Sequence, residues 1–215
     1  MLNTWPPCLR NHSRLIVVIL LCMAITLLSC DNKPVPLNVL KKDAVIVAFG
    51  DSITFGSGAI AAESYPAQLE RLIQRTVINE GIPGELSRDG LARLASVLQT
   101  HQPDLVILCH GGNDILRKTN HQIIAQNLTA MIKTSRQYGS QVVIIGVPTP
   151  SLFSLKSAAF YTDIAKQFAL PIEANILPTI ESNPEVKSDA IHPNARGYQQ
   201  LAEALARLLH QSGAL

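Results

Sequence analysis

The sequence predicts an α/β fold, a three-layer α/β/α sandwich around a doubly wound parallel sheet of five strands. Apolar runs of β-type residues alternate along the chain with longer segments of helical period. The apolar runs are continuous rather than alternating, as in strands covered on both faces. With 215 residues, 47% hydrophobic and 16% charged, the chain suits one ordinary domain with a sizeable core and is not disordered.

The first segment stands apart from that domain. Arg10, His12 and Arg14 precede the apolar run Leu15–Leu28. Fourteen residues fall short of the about 20 needed to span a bilayer and suit the core of a signal peptide. The run ends in Leu27-Leu28-Ser29-Cys30, which resembles a bacterial lipobox. That resemblance implies residues 1–29 as a lipoprotein signal peptide and Cys30 as the acylated new N-terminus. An uncleaved N-terminal anchor is the other reading of the same run, and both place the body on a membrane tether outside the cytoplasm. Residues 30–43 read as a lipidated linker, stiffened by Pro34 and Pro36 and free of periodicity. The thirteen residues from Asp31 to Asp43 would reach at most about 43–47 Å. Asp31 resembles the signal that retains lipoproteins in the inner membrane of enteric bacteria. The rule varies between lineages, which leaves inner and outer membrane both open.

Residues 44–215 read as the folded domain. Ala44–Phe49 is the first strand, followed by runs at Thr76–Asn79, Leu105–Cys109 and Gln141–Val147 and a weaker one at Pro171–Asn175. Helical spacing of apolar residues marks Tyr65–Arg75, Leu86–Leu98, Ile123–Tyr138, Phe160–Phe168 and Ala195–His210. In a sheet of this kind the site lies at the carboxyl ends of the strands.

Charge and cysteine content exclude several function classes. From residue 31 onward there are 16 basic and 16 acidic residues, with no basic stripe of the kind nucleic-acid binding needs. Cys8 and Cys22 leave with the signal and Cys30 would carry lipid, so the body keeps Cys109 alone and no intramolecular disulfide. Cys109, at the end of an apolar run, reads as a small core residue. No Cys/His cluster has zinc spacing, so no metal and no cofactor are expected. An enzyme of the metallophosphoesterase type would need an Asp-x-His and further histidines that are missing.

Four blocks carry chemistry. Gly50-Asp51-Ser52-Ile53-Thr54 puts a serine where a strand gives way to a helix, a place backed by free N–H groups. Taken alone, Asp-Ser before a helix is more often an N-cap. Asn79-Glu80-Gly81-Ile82-Pro83-Gly84 allows close backbone approach to a ligand or a plain turn. His110-Gly111-Gly112-Asn113-Asp114 is a glycine turn followed by a side-chain amide. Asp189-Ala-Ile-His192-Pro193-Asn194 places an aspartate where it can orient a histidine through Nδ1, leaving Nε2 to take a proton from a serine; taken alone, a surface turn explains the pair as well.

In this order and spacing the blocks resemble the SGNH (GDSL) hydrolase family over about residues 44–210. They look closest to its branch of bacterial periplasmic thioesterase/lysophospholipases and arylesterases. Gly90-Leu-Ala-Arg-Leu94 and His101-Gln-Pro103 are similar to connecting segments there. The resemblance implies a flavodoxin-like sandwich and a metal-independent serine esterase. By the same resemblance Ser52 is the nucleophile, His192 the general base and acid, and Asp189 the residue that orients His192. The Ser52 N–H, the Gly84 N–H and the Asn113 amide form the oxyanion hole. Gly81 rivals Gly84, but the spacing from Asn79 favours Gly84. Structural hydrogen bonding is expected of Asp51 and Asp114, and a supporting role of His110, which has no acid beside it in sequence.

The implied substrates are fatty-acyl, lysophospholipid or aryl esters and thioesters, with a carbohydrate O-acetylesterase as the alternative. Leu116, Leu152, Phe153 and Leu155 are expected in the acyl-binding walls. The implied setting is a lipid-anchored monomer facing the periplasm.

Overall fold

The computed structural model describes residues 34–149 and 155–215, so Cys30, Leu152 and Phe153 lie outside the described residues. The main sheet joins β1 (Val45–Gly50), β2 (Thr76–Gly81), β3 (Leu105–Cys109), β4 (Gln141–Ile145) and β7 (Ile172–Glu173). All neighbours are parallel, in the order β2-β1-β3-β4-β7. That is the expected doubly wound order, with its switch point between β1 and β3. A two-residue pair, β5 (Pro148–Thr149) with β6 (Lys156–Ser157), is antiparallel and separate from the sheet.

Continuous apolarity in β1, β3 and β4 corresponds to burial on both faces: Ile46, Val47, Ala48 and Phe49 are all fully buried, as is β3. Strand β2 lies at an edge and is only partly covered, and it runs on to Gly81. The fifth strand is shorter than the sequence predicts. Only Ile172 and Glu173 pair with Ile144 and Ile145. Strand β4 ends at Ile145; Gly146 still donates its N–H to the Glu173 carbonyl, and the chain then turns into β5.

The helices are α1 (Ser52–Phe55), α2 (Tyr65–Ile73), α3 (Ser87–His101), α4 (Gly112–Leu116), α5 (His121–Gln137), α6 (Ala159–Phe168), α7 (Ile176–Ser182) and α8 (Ala195–Gln211). Right-handed crossovers put α2 and α8 on one face of the sheet and α3, α5 and α6 on the other. The packing of α2 on α8 and of α3 on α5 agrees. Helix α8 starts where the Asn194 side chain accepts the N–H groups of Arg196 and Gly197. It buries Tyr198, Leu201, Leu205, Leu208 and Leu209 on one stripe. Helix α7 has no counterpart in the sequence reading, because Pro178 interrupts its short apolar pattern.

The expected linker is linker only in part. Leu40 is buried, and the N–H groups of Leu37 and Leu40 donate to the carbonyls of Ser212 and Ala214, both at 2.8 Å. Asn38 exchanges two hydrogen bonds with the Gln141 side chain, and Arg75 donates to the Lys41 carbonyl. The ordered body therefore begins before residue 44, and residues 34–215 form one compact unit. Among the described residues no helix is long and apolar enough to cross a membrane.

Candidate active site

Strand β1 delivers Ser52 to the sheet's carboxyl edge. The buried Asp51 caps α1, accepting the Ile53 N–H at 3.1 Å, so Ser52 opens the helix and its own N–H is one that no helical carbonyl can satisfy. Burial raises the Asp51 carboxyl above its ordinary value, against the pull of His110 and of the Ile53 N–H. Two buried tyrosines hold the segment from below. Tyr65 meets Thr54 Oγ1 at 3.2 Å, and Tyr198 donates to the Ser57 carbonyl at 2.8 Å.

The loop before α8 brings Asp189 and His192 to the same place. Asp189 accepts three hydrogen bonds, from the N–H groups of His192 and Ile191 at 2.8 Å each and from His192 Nδ1 at 2.7 Å. These donors, His192 first, lower its carboxyl from 3.8 to about 2 although the side chain is half exposed. An ionised carboxylate can only accept, so Nδ1 carries the proton and Nε2 offers a lone pair. Ser52 Oγ stands 3.0 Å from that Nε2. The serine, histidine and aspartate separated by up to 140 positions in sequence form one hydrogen-bonded line.

The two remaining blocks hold Gly84 and Asn113. Gly84 lies in an exposed loop with φ of +79°, a conformation that favours glycine. Its rival Gly81 is the last residue of β2 and serves packing: a Cβ there would meet the Phe55 nitrogen at 2.1 Å. Asn113, in α4, donates one amide hydrogen to the Glu85 carbonyl at 3.1 Å. Its second N–H has no partner among the described residues. Asp114 accepts the N–H and Oγ–H of Ser87, both at 2.8 Å, so the structure gives it the expected structural role.

His110 has an acid partner that its own neighbourhood in sequence does not reveal. Gly111 N–H donates to Nδ1 at 3.1 Å, which places the proton on Nε2, directed at Glu85 Oε2 3.1 Å away. Arg93 grips the same carboxylate with two bonds of 2.7 and 2.8 Å, donates to the Glu80 carbonyl and lies over the Phe49 ring at 4.2 Å. Burial pushes the Glu85 carboxyl up, but His110 and Arg93 outweigh it and the net shift is downward. This brace ties the Gly84–Glu85 loop to the end of β3, the two segments that carry Gly84 and Asn113. Tyr161 fastens the same strand end by donating to the His110 carbonyl at 2.7 Å. Cys109, directly before it, is buried, and burial drives its thiol well above the ordinary range.

A cavity of about 340 Å³ opens beside Ser52, His192 and Asn113. Ile53, Ile115, Leu116, Val147 and Leu155 give it aliphatic walls, as expected for Leu116 and Leu155. Glu181 and Lys187 also line it, and the sequence reading missed both. Lys187 Nζ donates to the Glu181 carbonyl at 2.7 Å. Burial in the cavity wall raises the Glu181 carboxyl from 4.5 to about 7, with Lys187 opposing.

The model of the GDSL-like Lipase/Acylhydrolase family matches residues 48–200. The chain is similar to an arylesterase of Vibrio mimicus, 30% identical over 76% of this chain and 87% of that protein. It is similar to "Thioesterase 1/protease 1/lysophospholipase L1" of Escherichia coli K12, 29% identical over 76% and 82%. Among solved structures, the crystal structure of TesA matches with a TM-score of 0.71 and 26% identity, over 78% of this chain and 99% of that one.

Replacing a helical glycine by alanine ordinarily gains about 0.5–1 kcal/mol. At Gly90, in α3, a Cβ would stand 2.3 Å from Nε2 of the fully buried His110, whose two nitrogens are both bonded. Gly90→Ala is expected instead to cost about 1–3 kcal/mol, read as a lower Tm, and to lower kcat more than KM. A raised Tm would contradict the brace. Glu181 binds its proton more tightly in the folded state than in the unfolded one. Its contribution to stability is therefore full below about pH 4.5, lost as pH rises to about 7 and constant above. Glu181→Gln should match the native Tm in acid and exceed it above pH 7, whereas parallel curves would place the carboxyl in water.

Proposed function

Since the chain belongs to the GDSL-like lipase/acylhydrolase family, we propose that Ser52, His192 and Asp189 cleave carboxylic esters and thioesters through an acyl-enzyme. The chain is a serine hydrolase of ester bonds. The observation that carries the residue assignment is the line Ser52 Oγ, His192 Nε2, His192 Nδ1, Asp189 Oδ2, with steps of 3.0 and 2.7 Å, at the mouth of the cavity.

His192 Nε2 takes the proton of Ser52 as Oγ bonds to the substrate carbonyl carbon. The carbonyl oxygen becomes an oxyanion facing the N–H groups of Ser52 and Gly84 and the second amide N–H of Asn113. Donors set where charge develops contribute about 3–4 kcal/mol each in related acyl-transfer sites. Asp189 stays ionised and stabilises the imidazolium. Collapse of the intermediate breaks the bond to the leaving alcohol or thiol, which takes the proton from Nε2. Water then attacks the acyl-Ser52 ester with His192 as base, releasing the acid and the serine.

The aliphatic wall of the cavity supports an acyl chain over the alternative of a carbohydrate O-acetylesterase. Fatty-acyl, lysophospholipid and aryl esters fit this wall. Relatives named arylesterase and thioesterase/lysophospholipase support that substrate range. Acylation of Cys30 would place this enzyme, as a monomer, on a membrane of the bacterial cell envelope.

Ser52→Ala is expected to lose turnover of p-nitrophenyl esters by several orders of magnitude with an unchanged circular-dichroism spectrum. Retention of more than a few per cent of the native rate would remove Ser52 from the nucleophile's role. Asn113→Ala should lower kcat by about 10²–10³ with little change in KM, because its bond strengthens with charge present only in the transition state. A loss confined to KM would make Asn113 a substrate-binding group instead.

A further inference from the structure

The N-terminal segment joins the body at the end of the sheet opposite Ser52. In a parallel sheet all strand starts share one pole and all strand ends the other. Asn38 bonds Gln141, the first residue of β4; the Lys41 carbonyl accepts from Arg75, which directly precedes β2. Leu37 and Leu40 bond the chain beyond α8 at Ser212 and Ala214. Ser52, Gly84 and Asn113 follow the ends of β1, β2 and β3. The six residues of β1 put about 20 Å between the strand starts and the strand ends, before the loops and turns beyond each end are added.

The length of chain outside the docked segment decides what this means for an anchored protein. Residues 31–36 join Cys30 to Leu37, the first docked residue, and reach at most about 23–25 Å when extended. A body the size of residues 34–215 has a radius of gyration of about 16 Å and hence a diameter of about 40 Å. To press the catalytic mouth onto the bilayer, the docked pole would have to stand about one diameter above it. The tether is too short. The full 31–43 stretch would just suffice, so the docking of Leu37–Leu40 makes the difference. Freeing it would expose the buried Leu40 and break the bonds to Ser212, Ala214 and Gln141.

We propose that the anchored enzyme holds its catalytic mouth away from the membrane that carries it. Its substrates are then esters arriving from the aqueous phase, not acyl esters embedded in that same bilayer. The inference rests on the lipoprotein reading of Cys30.

The test uses the full chain purified from membranes after growth with alkyne-tagged palmitate and reconstituted into phosphatidylethanolamine/phosphatidylglycerol vesicles. A variant carries about 30 Gly/Ser residues between Pro36 and Leu37, enough to span the body. Each protein meets a water-soluble p-nitrophenyl ester and a fluorogenic acyl ester fixed in the same vesicles by a two-chain phospholipid. The two should hydrolyse the soluble ester equally, and the lengthened variant should cleave the embedded ester at least about tenfold faster, because the short tether forbids engagement. Equal rates on the embedded ester, fast or slow, with label present at Cys30 would overturn the orientation alone. Absence of label at Cys30 would overturn the lipoprotein reading and this inference together.

Discussion

The level ending of three strands is the constraint on which the site depends. Gly50 pairs with Gly81 on one side and with Cys109 on the other, so β1, β2 and β3 run out at the same height. Ser52, Gly84 and Asn113 then lie two, three and four residues beyond that line. A slip of one residue in either pairing would carry the proposed oxyanion donors about 3.3 Å along the strand, more than the length of a hydrogen bond. The register itself is held by strands buried on both faces, where a shift would break the packing of Ile46–Phe49 and of all β3.

Register alone leaves the loops free to move, and a second set of bonds stops them. Three fully buried tyrosines each place a hydroxyl on a segment next to the site: Tyr65 at Thr54, Tyr198 at Ser57 and Tyr161 at the His110 carbonyl. The Arg93–Glu85–His110 brace and the Ser87–Asp114 pair join the β2 loop to the β3 loop. Such buried charges cost desolvation and would not be chosen for stability alone. Here they fix the distance between the two loops that carry Gly84 and Asn113, the proposed donors to one oxygen. The catalytic loop has a different support. Asp189 is half exposed, but its three donors come from its own turn and from His192, and the Ser188 N–H closes the turn onto the His192 carbonyl at 2.9 Å.

Much of this was legible in the sequence, for identifiable reasons. The buried strands announce themselves by unbroken apolar runs, and the long helices by a regular stripe such as Leu201, Leu205, Leu208. The four blocks also carry their order, and the structure brings Ser52, Asp189 and His192 into bonding distance. What could not be read depends on contacts between distant elements. The partner of His110 comes from residue 85, and only Gly90, whose missing Cβ leaves room for the ring, hinted at a close neighbour. Glu181 and Lys187 lie on a short helix and turn whose pattern Pro178 and Pro184 obscure. The residues from Leu37 to Asp43 look like linker because two isolated leucines make no periodic pattern, yet one of them is buried against the body.

The central claim is that the carbonyl carbon of the substrate becomes bonded to Ser52. It is tested most directly by quenching the enzyme in acid within milliseconds of mixing with a p-nitrophenyl ester of slow turnover, then weighing its peptides. The account predicts a peptide containing Ser52 that is heavier by the acyl group, formed as one equivalent of p-nitrophenol is released in a burst. A burst with the acyl group on another residue, or steady product release with no acylated peptide at any time, would contradict it.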